Sequence, residues 1–330
     1  MTTLREEAVY TRFSFRAMNT DIEVALWAGE RQAAELQRET IAWFQAVEAK
    51  FSRFLPDSEL SNLNRSAGKW FLSSAAMIEV LLLAESYRSD TGGIFEPLLL
   101  RALEAAGYDE SFDAVKRRPG GQGDRKAAPP ERTRERPAFH AGMKAVRLPS
   151  GASVDLGGIV KSWAARRLRD MMRAARRVPC GMIDAGGDLT VWGGKPIAGE
   201  PWHIAIEHPW RPEADAGCIE MDVGAAATSS KLGRQWRAAD GAAMHHLLDP
   251  RTQRPSESDV AQCTVAGPDV VACEVWAKTI CIAGSEDGIR LLEANAPAYA
   301  ALVFTDTRRA LACGYAPERF QLASEWREKR

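Results

Sequence analysis

Few of the features that would settle this chain's chemistry at a glance are present. Its six cysteines, Cys180, Cys218, Cys263, Cys273, Cys281 and Cys313, are scattered through 330 residues, and none forms a CxxC pair. That spacing argues against zinc and thiol-redox motifs and reads as buried thiols in a reducing compartment. No run approaches the roughly 18 apolar residues of a membrane span, and the opening residues 1–7 lack the apolar core of a signal peptide. The expectation is a cytoplasmic protein with no membrane span. Formal net charge is −1, so no global field draws nucleic acid or an anionic membrane, and any anion binding must be local. The dinucleotide fingerprint G-x-G-x-x-G does not open the chain's glycine segment, and Walker A is absent.

What stands out instead is Val154-Asp155-Leu156-Gly157-Gly158-Ile159-Val160-Lys161-Ser162. Glycines let a backbone approach a ligand closely, and the first free N–H groups of a helix attract anions. A lysine in a first helical turn opposes the helix dipole unless an anion sits there. The segment points to a phosphate; close helix–sheet packing explains the glycines equally well.

Around it, 11–15 and 21–27 read as paired strands, Ile22, Val24 and Leu26 alternating with polar or small residues as in a half-buried strand. Helices are expected at 31–51, 73–88, 160–176 and 270–283, with Ser73 or Ser74 capping the second and Ser58 capping a short helix of its own. Further strands are expected at 144–148, 202–207, 218–223, 260–266 and 299–305. Two short strands at 181–192 are broken by Gly186-Gly187-Asp188, a turn in which Asp188 is only the weaker candidate for a site residue. Cys273 and Cys281 on the apolar 270–283 helix read as core. The stretch 116–136 is rich in Arg, Lys, Pro and Gly, and implies a flexible basic loop within 112–140. Without interleaved aromatics it reads as solvated rather than as a nucleic-acid surface. Strands and helices do not alternate regularly, which favours α+β with antiparallel sheet. A single domain over 1–330, with a core of about 11–310, accommodates these elements.

Several unusual segments follow in order: Ala17-Met18-Asn19-Thr20; Ser52-Arg53-Phe54-Leu55-Pro56-Asp57-Ser58-Glu59-Leu60-Ser61; Gly92-Gly93-Ile94-Phe95-Glu96-Pro97; the glycine segment; Asp184-Ala185-Gly186-Gly187-Asp188; Ala227-Thr228-Ser229; His246-Leu247-Leu248-Asp249-Pro250-Arg251-Thr252; and Glu274-Val275-Trp276-Ala277-Lys278. The series resembles the ApbE family, the FAD:protein FMN transferases, from about residue 15 to 284. The resemblance implies an α+β, T-fold-related architecture with largely antiparallel sheets and packed helices, in two lobes around an FAD cleft. It implies transfer of FMN from FAD to a threonine hydroxyl of a client protein with release of AMP. Some relatives instead hydrolyse FAD to FMN and AMP. By position, Met18, Phe54, Ile94, Phe95, Glu96, Asp155, Lys161 and Leu248 match FAD-contacting residues, and His246 matches the histidine proposed to act in transfer. Gly158 matches a backbone-carbonyl metal ligand, Glu274 a carboxylate ligand to Mg2+, and Thr228 and Ser229 an element near the cleft.

Two positions depart from that pattern. Ser230 stands where glycine is usual, and Lys278 stands where the family has a threonine metal ligand. A charged lysine has no lone pair to offer a metal. Glu274 and Lys278 are also spaced for an i,i+4 helix ion pair, and that reading stays open beside one in which the Lys278 ammonium replaces part of the metal's charge. His246 is either a strand-end histidine satisfied by backbone or a base in transfer. Transferase, FAD pyrophosphatase and non-catalytic FAD binder therefore all remain open.

Overall fold

The computed structural model describes residues 8–118, 133–194 and 200–327. The opening residues 1–7 and the centre of the basic stretch, 119–132, lie outside them. Eight strands form the main sheet: β1 (Val9–Ala17), β2 (Thr20–Ala28), β3 (Gly181–Ala185), β4 (Asp188–Trp192), β5 (Gly224–Ser230), β6 (Val260–Gly267), β7 (Ala300–Thr305) and β8 (Ala310–Gly314). Each pairs with the next in this series, always antiparallel. The α+β class with largely antiparallel sheet is what the irregular alternation of elements predicted.

Side chains alternate between the two faces of that sheet, as the strand period requires. Ala225, Ala227, Cys263, Val265, Ala301 and Val303 pack against helices: α1 (Glu30–Phe51), α2 (Glu59–Arg65), α3 (Ala75–Asp90), α4 (Val160–Ala174), α5 (Val270–Ala283) and α6 (Ser285–Asn295) all contribute to that core. Ala226, Ala266, Ala300, Leu302 and Phe304 face the other way, onto a three-stranded sheet of Trp202–His208, Arg211–Met221 and Phe320–Leu322. This second layer corrects the reading of β2 as half-buried. Ile22, Val24 and Leu26 face the helices, but Ala25 and Trp27 are buried as well, against Trp202 and Leu189.

The helices begin where their caps place them. Ser58 Oγ accepts from Ser61 N at 3.0 Å and Ser74 Oγ from Met77 N at 3.2 Å, so Ser74 rather than Ser73 is the cap. Asp269 accepts from Val271 N and Ala272 N at 2.9 and 3.1 Å and starts α5. That helix is buried almost all round, as a helix without a polar face must be. Regular elements flank the undescribed centre of the basic stretch. Phe112–Arg117 is a helix capped by Ser111, and Ala138–His140 pairs with Ala145–Arg147. No helix among the described residues is long and apolar enough to cross a membrane.

Candidate active site

Two tight turns and two helices converge on one cleft. β1 and β2 are joined by Met18 and Asn19 alone, at φ of 53° and 59°. Positive φ at both central positions is the hairpin turn that matches strand twist, and it holds Met18 at the cleft mouth. β3 and β4 are joined in the same way by Gly186 and Gly187, at φ of 70° and 89°. A Cβ on Gly186 would strike the Thr20 side chain, so the two turns pack together only because that residue is glycine. Gly187 N donates to Asp184 Oδ1 at 2.7 Å, and Asp188 follows as the first residue of β4.

The glycine segment is clamped at its start. Asn64 accepts from Val154 N at 2.8 Å and donates to Val154 O at 3.0 Å, and Asp155 N donates to Pro97 O at 2.9 Å. Asp155 Oδ1 accepts from Gly157 N at 3.2 Å and lies 3.6 Å from Arg53 Nε. The Arg53 guanidinium lies against the rings of Phe54 (4.3 Å) and Tyr108 (4.6 Å), and donates to Tyr108 O at 2.8 Å. These contacts, held by cation–π attraction, build one wall of the cleft. On the next wall, Glu96 accepts from Leu98 N at 3.0 Å and is gripped by Arg136 at 2.9 Å.

Beneath the floor lies a buried charge cluster. Lys161, in the first turn of α4, donates to Asp188 and lies 3.3 Å from Glu274 Oε1. Ser162 Oγ donates to Glu274 Oε2 at 2.6 Å. Asp188 and Glu274 are each only 3 % exposed. Burial opposes every charge here, yet the two carboxylates hold Lys161 protonated, above its ordinary value. Burial and the nearby Glu274 push Asp188 up. Burial pushes Glu274 up too, but Lys161, Lys278 and Ser162 outweigh it and leave the group lowered. The i,i+4 spacing of Glu274 and Lys278 does not become an ion pair: Glu274 is taken by Lys161 and Ser162 across the helix interface.

His246 also lines the cleft. Its Nδ1 is buried without a hydrogen-bond partner. Burial pushes the imidazole well below the usual histidine value, and Arg234, Lys278 and His245 push it the same way. The ring is therefore neutral near pH 7, with a lone pair to offer. His245 points elsewhere, its Nε2 3.1 Å from Ser256 O.

A divalent cation does not fit these residues. Among the described residues no three His, Cys, Asp or Glu side chains gather to hold a metal. One or two carboxylates can suffice for Mg2+, but Glu274 is already engaged and does not line the cleft. The space beside Gly158 is filled by Lys278, whose Nζ lies where a Gly158 Cβ would point. An ammonium there takes up the space beside the Gly158 backbone and repels a second cation.

The structure thus brings Met18, Phe54, Ile94, Phe95, Glu96, Asp155, Gly158, Lys161, His246, Leu248 and Lys278 to one cleft of about 1210 Å³, open solvent included. Glu274 lies just behind it. Thr228 and Ser229 are not on it: Thr228 Oγ1 bonds Thr264 Oγ1 at 2.9 Å inside the sheet, and Ser229 O faces Cys281. Arg234, Asn19 and Tyr108 were missed as site residues, and Asp188, placed directly after a glycine pair, was only the weaker candidate of its turn.

Comparison with known proteins agrees with this geometry. An FAD:protein FMN transferase of Klebsiella pneumoniae is 29% identical over 43% of this chain and 42% of its own length, so the matched stretch spans less than half of that relative. The FAD:protein FMN transferase of Salmonella typhimurium is 25% identical over 78% of this chain and 73% of its own. The crystal structure of the ApbE protein of Thermotoga maritima superposes with a TM-score of 0.83 at 21% identity, over 96% of this chain and 100% of that one. The model of the ApbE family matches residues 18–303, and the chain belongs to that family.

Proposed function

We propose that this chain is an FAD:protein FMN transferase, a single cytoplasmic ApbE-like domain that moves FMN from FAD to a threonine hydroxyl of a client protein. The observation that carries the reading is His246 Nδ1, buried and unpartnered, in a cleft that also holds the cations Lys278 and Arg234. An unpaired buried acceptor is costly, and a transfer to a hydroxyl needs a group that can take up one proton.

The residues divide the work by chemistry. The apolar walls, Ile94, Phe95, Phe54 and Leu248, suit a flavin or adenine ring, and Lys278 and Arg234 suit its pyrophosphate. His246 accepts the proton of the threonine hydroxyl as the oxygen attacks the phosphorus of the FMN half. That O–P bond forms as the P–O bond to AMP breaks, and AMP leaves with the electron pair. Fixed cations stabilise the charge gathering on the phosphoryl oxygens without reorganising at the moment of reaction.

Intact-mass measurement after incubation with FAD and a threonine-bearing client tests the proposal. A client heavier by one FMN, with AMP released in equal amount, is the expected result. AMP release with the client unchanged identifies a pyrophosphatase, and tight FAD binding with neither product identifies a binding protein.

A further inference from the structure

Lys278, like Arg234, is a cation that lines the cleft and enters no ion pair among the described residues. It sits one helical turn beyond Glu274 on α5, so both project from the same face. Glu274 is drawn back to Ser162 and Lys161, below the cleft, whereas Lys278 reaches past it and lines the cleft itself. Its ammonium forms no ion pair among the described residues, although Glu274, Asp155 and Asp188 act on it at longer range. Burial of an ammonium without a direct carboxylate partner is unfavourable. Such a placement makes sense when an anion completes it.

Gly158 supplies the room. Its missing side chain is the space that Lys278 Nζ occupies, directly beside the backbone that leads into α4. A dianionic pyrophosphate lying along the Gly157-Gly158 backbone would meet the ammonium there, at the start of a helix that has no side-chain cap and no acidic residue in its first turn. Helix start and ammonium together present positive potential to one spot. Lys161 cannot play this part, because Asp188 and Glu274 already neutralise it.

We infer that Lys278 is a built-in cation for the FAD pyrophosphate, and that this enzyme binds its donor without a divalent metal. The inference deepens the transferase reading and rests on it. A point charge on a flexible stem matches phosphate oxygens without the octahedral geometry that Mg2+ demands.

Calorimetric titration of the full chain with FAD, first in EDTA and then in Mg2+, tests it. The affinity is expected to be the same in both, and MgCl2 titrated alone is expected to give no saturable heat. Lys278→Met, which keeps the aliphatic stem, is expected to weaken FAD binding by about ten- to hundredfold, the usual loss for a hydrogen bond to a charged group. Added Mg2+ is expected not to restore it. FAD binding that appears only with Mg2+, or saturable Mg2+ binding by the unaltered protein, overturns the inference and leaves the transferase reading standing. So does a folded Lys278→Met protein that binds FAD unchanged. Failure to bind FAD under either condition overturns the transferase reading itself. The EDTA arm uses the unaltered protein and decides the matter even if the variant does not fold.

Discussion

Two lysines on facing helices lie close in space to the same glycine pair, and their surroundings give them opposite tasks. Lys161 enters from the first turn of α4 and is enclosed by Asp188 and Glu274. Lys278 enters from the middle of α5 and meets Gly158 instead of a carboxylate. Burial disfavours both charges. The two carboxylates win at Lys161 and hold it above its ordinary value, while burial, with Lys161 adding to it, wins at Lys278 and leaves it lowered. One lysine therefore joins α4, β4 and α5 into a rigid floor, and the other keeps its charge available at the surface of that floor. The difference teaches that a lysine in a cleft is assigned by its counter-charges rather than by its proximity to a motif.

Removing the enclosed lysine should do the most damage. Lys161→Met leaves Asp188 and Glu274 buried beside each other with only Ser162 and the more distant Lys278 to help, and breaking a buried ion pair costs about 3–5 kcal/mol. Urea denaturation should show a loss of that order. Lys278→Met should cost no stability, because it removes a partly buried charge that has no direct partner and keeps the aliphatic stem. Equal losses in the two variants would erase the distinction between them.

The pH dependence of transfer probes the same field from His246. Burial, Arg234 and Lys278 all favour the neutral ring, so the base stays competent as pH falls through the ordinary histidine range. The acid limb of the rate profile should lie below pH 6.5, the ordinary value for a histidine side chain. Lys278→Met removes one of the opposing cations and should move that limb upward. His246→Asn should lower kcat by about a hundredfold or more, the usual contribution of a positioned base. The native ring also binds fewer protons than the unfolded one just below pH 6.5, so this histidine subtracts stability there as pH drops. A limb that stays in place in Lys278→Met would mean that the ammonium does not act on His246.

Much of this was legible in the chain, and what was not has physical causes. Helix α5 was placed at Val270–Ala283 from its apolar run, and the convergence of eleven separated residues on one cleft follows from the order of the motifs. Strand β5, Gly224–Ser230, escaped because its Gly, Ala, Ala, Ala, Thr, Ser, Ser composition carries little strand propensity. Small residues are needed there, since α5 packs closely enough for Cys273 Sγ and Cys281 Sγ to reach Ala225 O and Ser229 O. The partners of Glu274 were equally hidden. Helical spacing pointed to Lys278 four residues on, but the carboxylate turned to Lys161 and Ser162 on another helix, which no local pattern encodes. Asp188 was read as part of a turn because its role depends on a lysine 27 positions away.

The subtlest test of the two-lysine comparison touches neither lysine. Gly158→Ala adds one methyl group directed at Lys278 Nζ, and its three nearest atoms all belong to that flexible side chain. The tip of a flexible side chain can swing aside, so the fold should lose no more than about 1 kcal/mol, well below the cost of overpacking a rigid core. The Lys161 cluster, anchored by Asp188 and Glu274, should be undisturbed. What changes is the position of the free ammonium, which must leave the backbone that the pyrophosphate follows. FAD affinity should then fall in Gly158→Ala while its melting temperature barely moves, and adding Lys278→Met should cost little further affinity, because the two changes remove the same interaction. Additive losses in the double variant would show that glycine and lysine act separately, and that the space at Gly158 serves the ligand directly rather than through the ammonium.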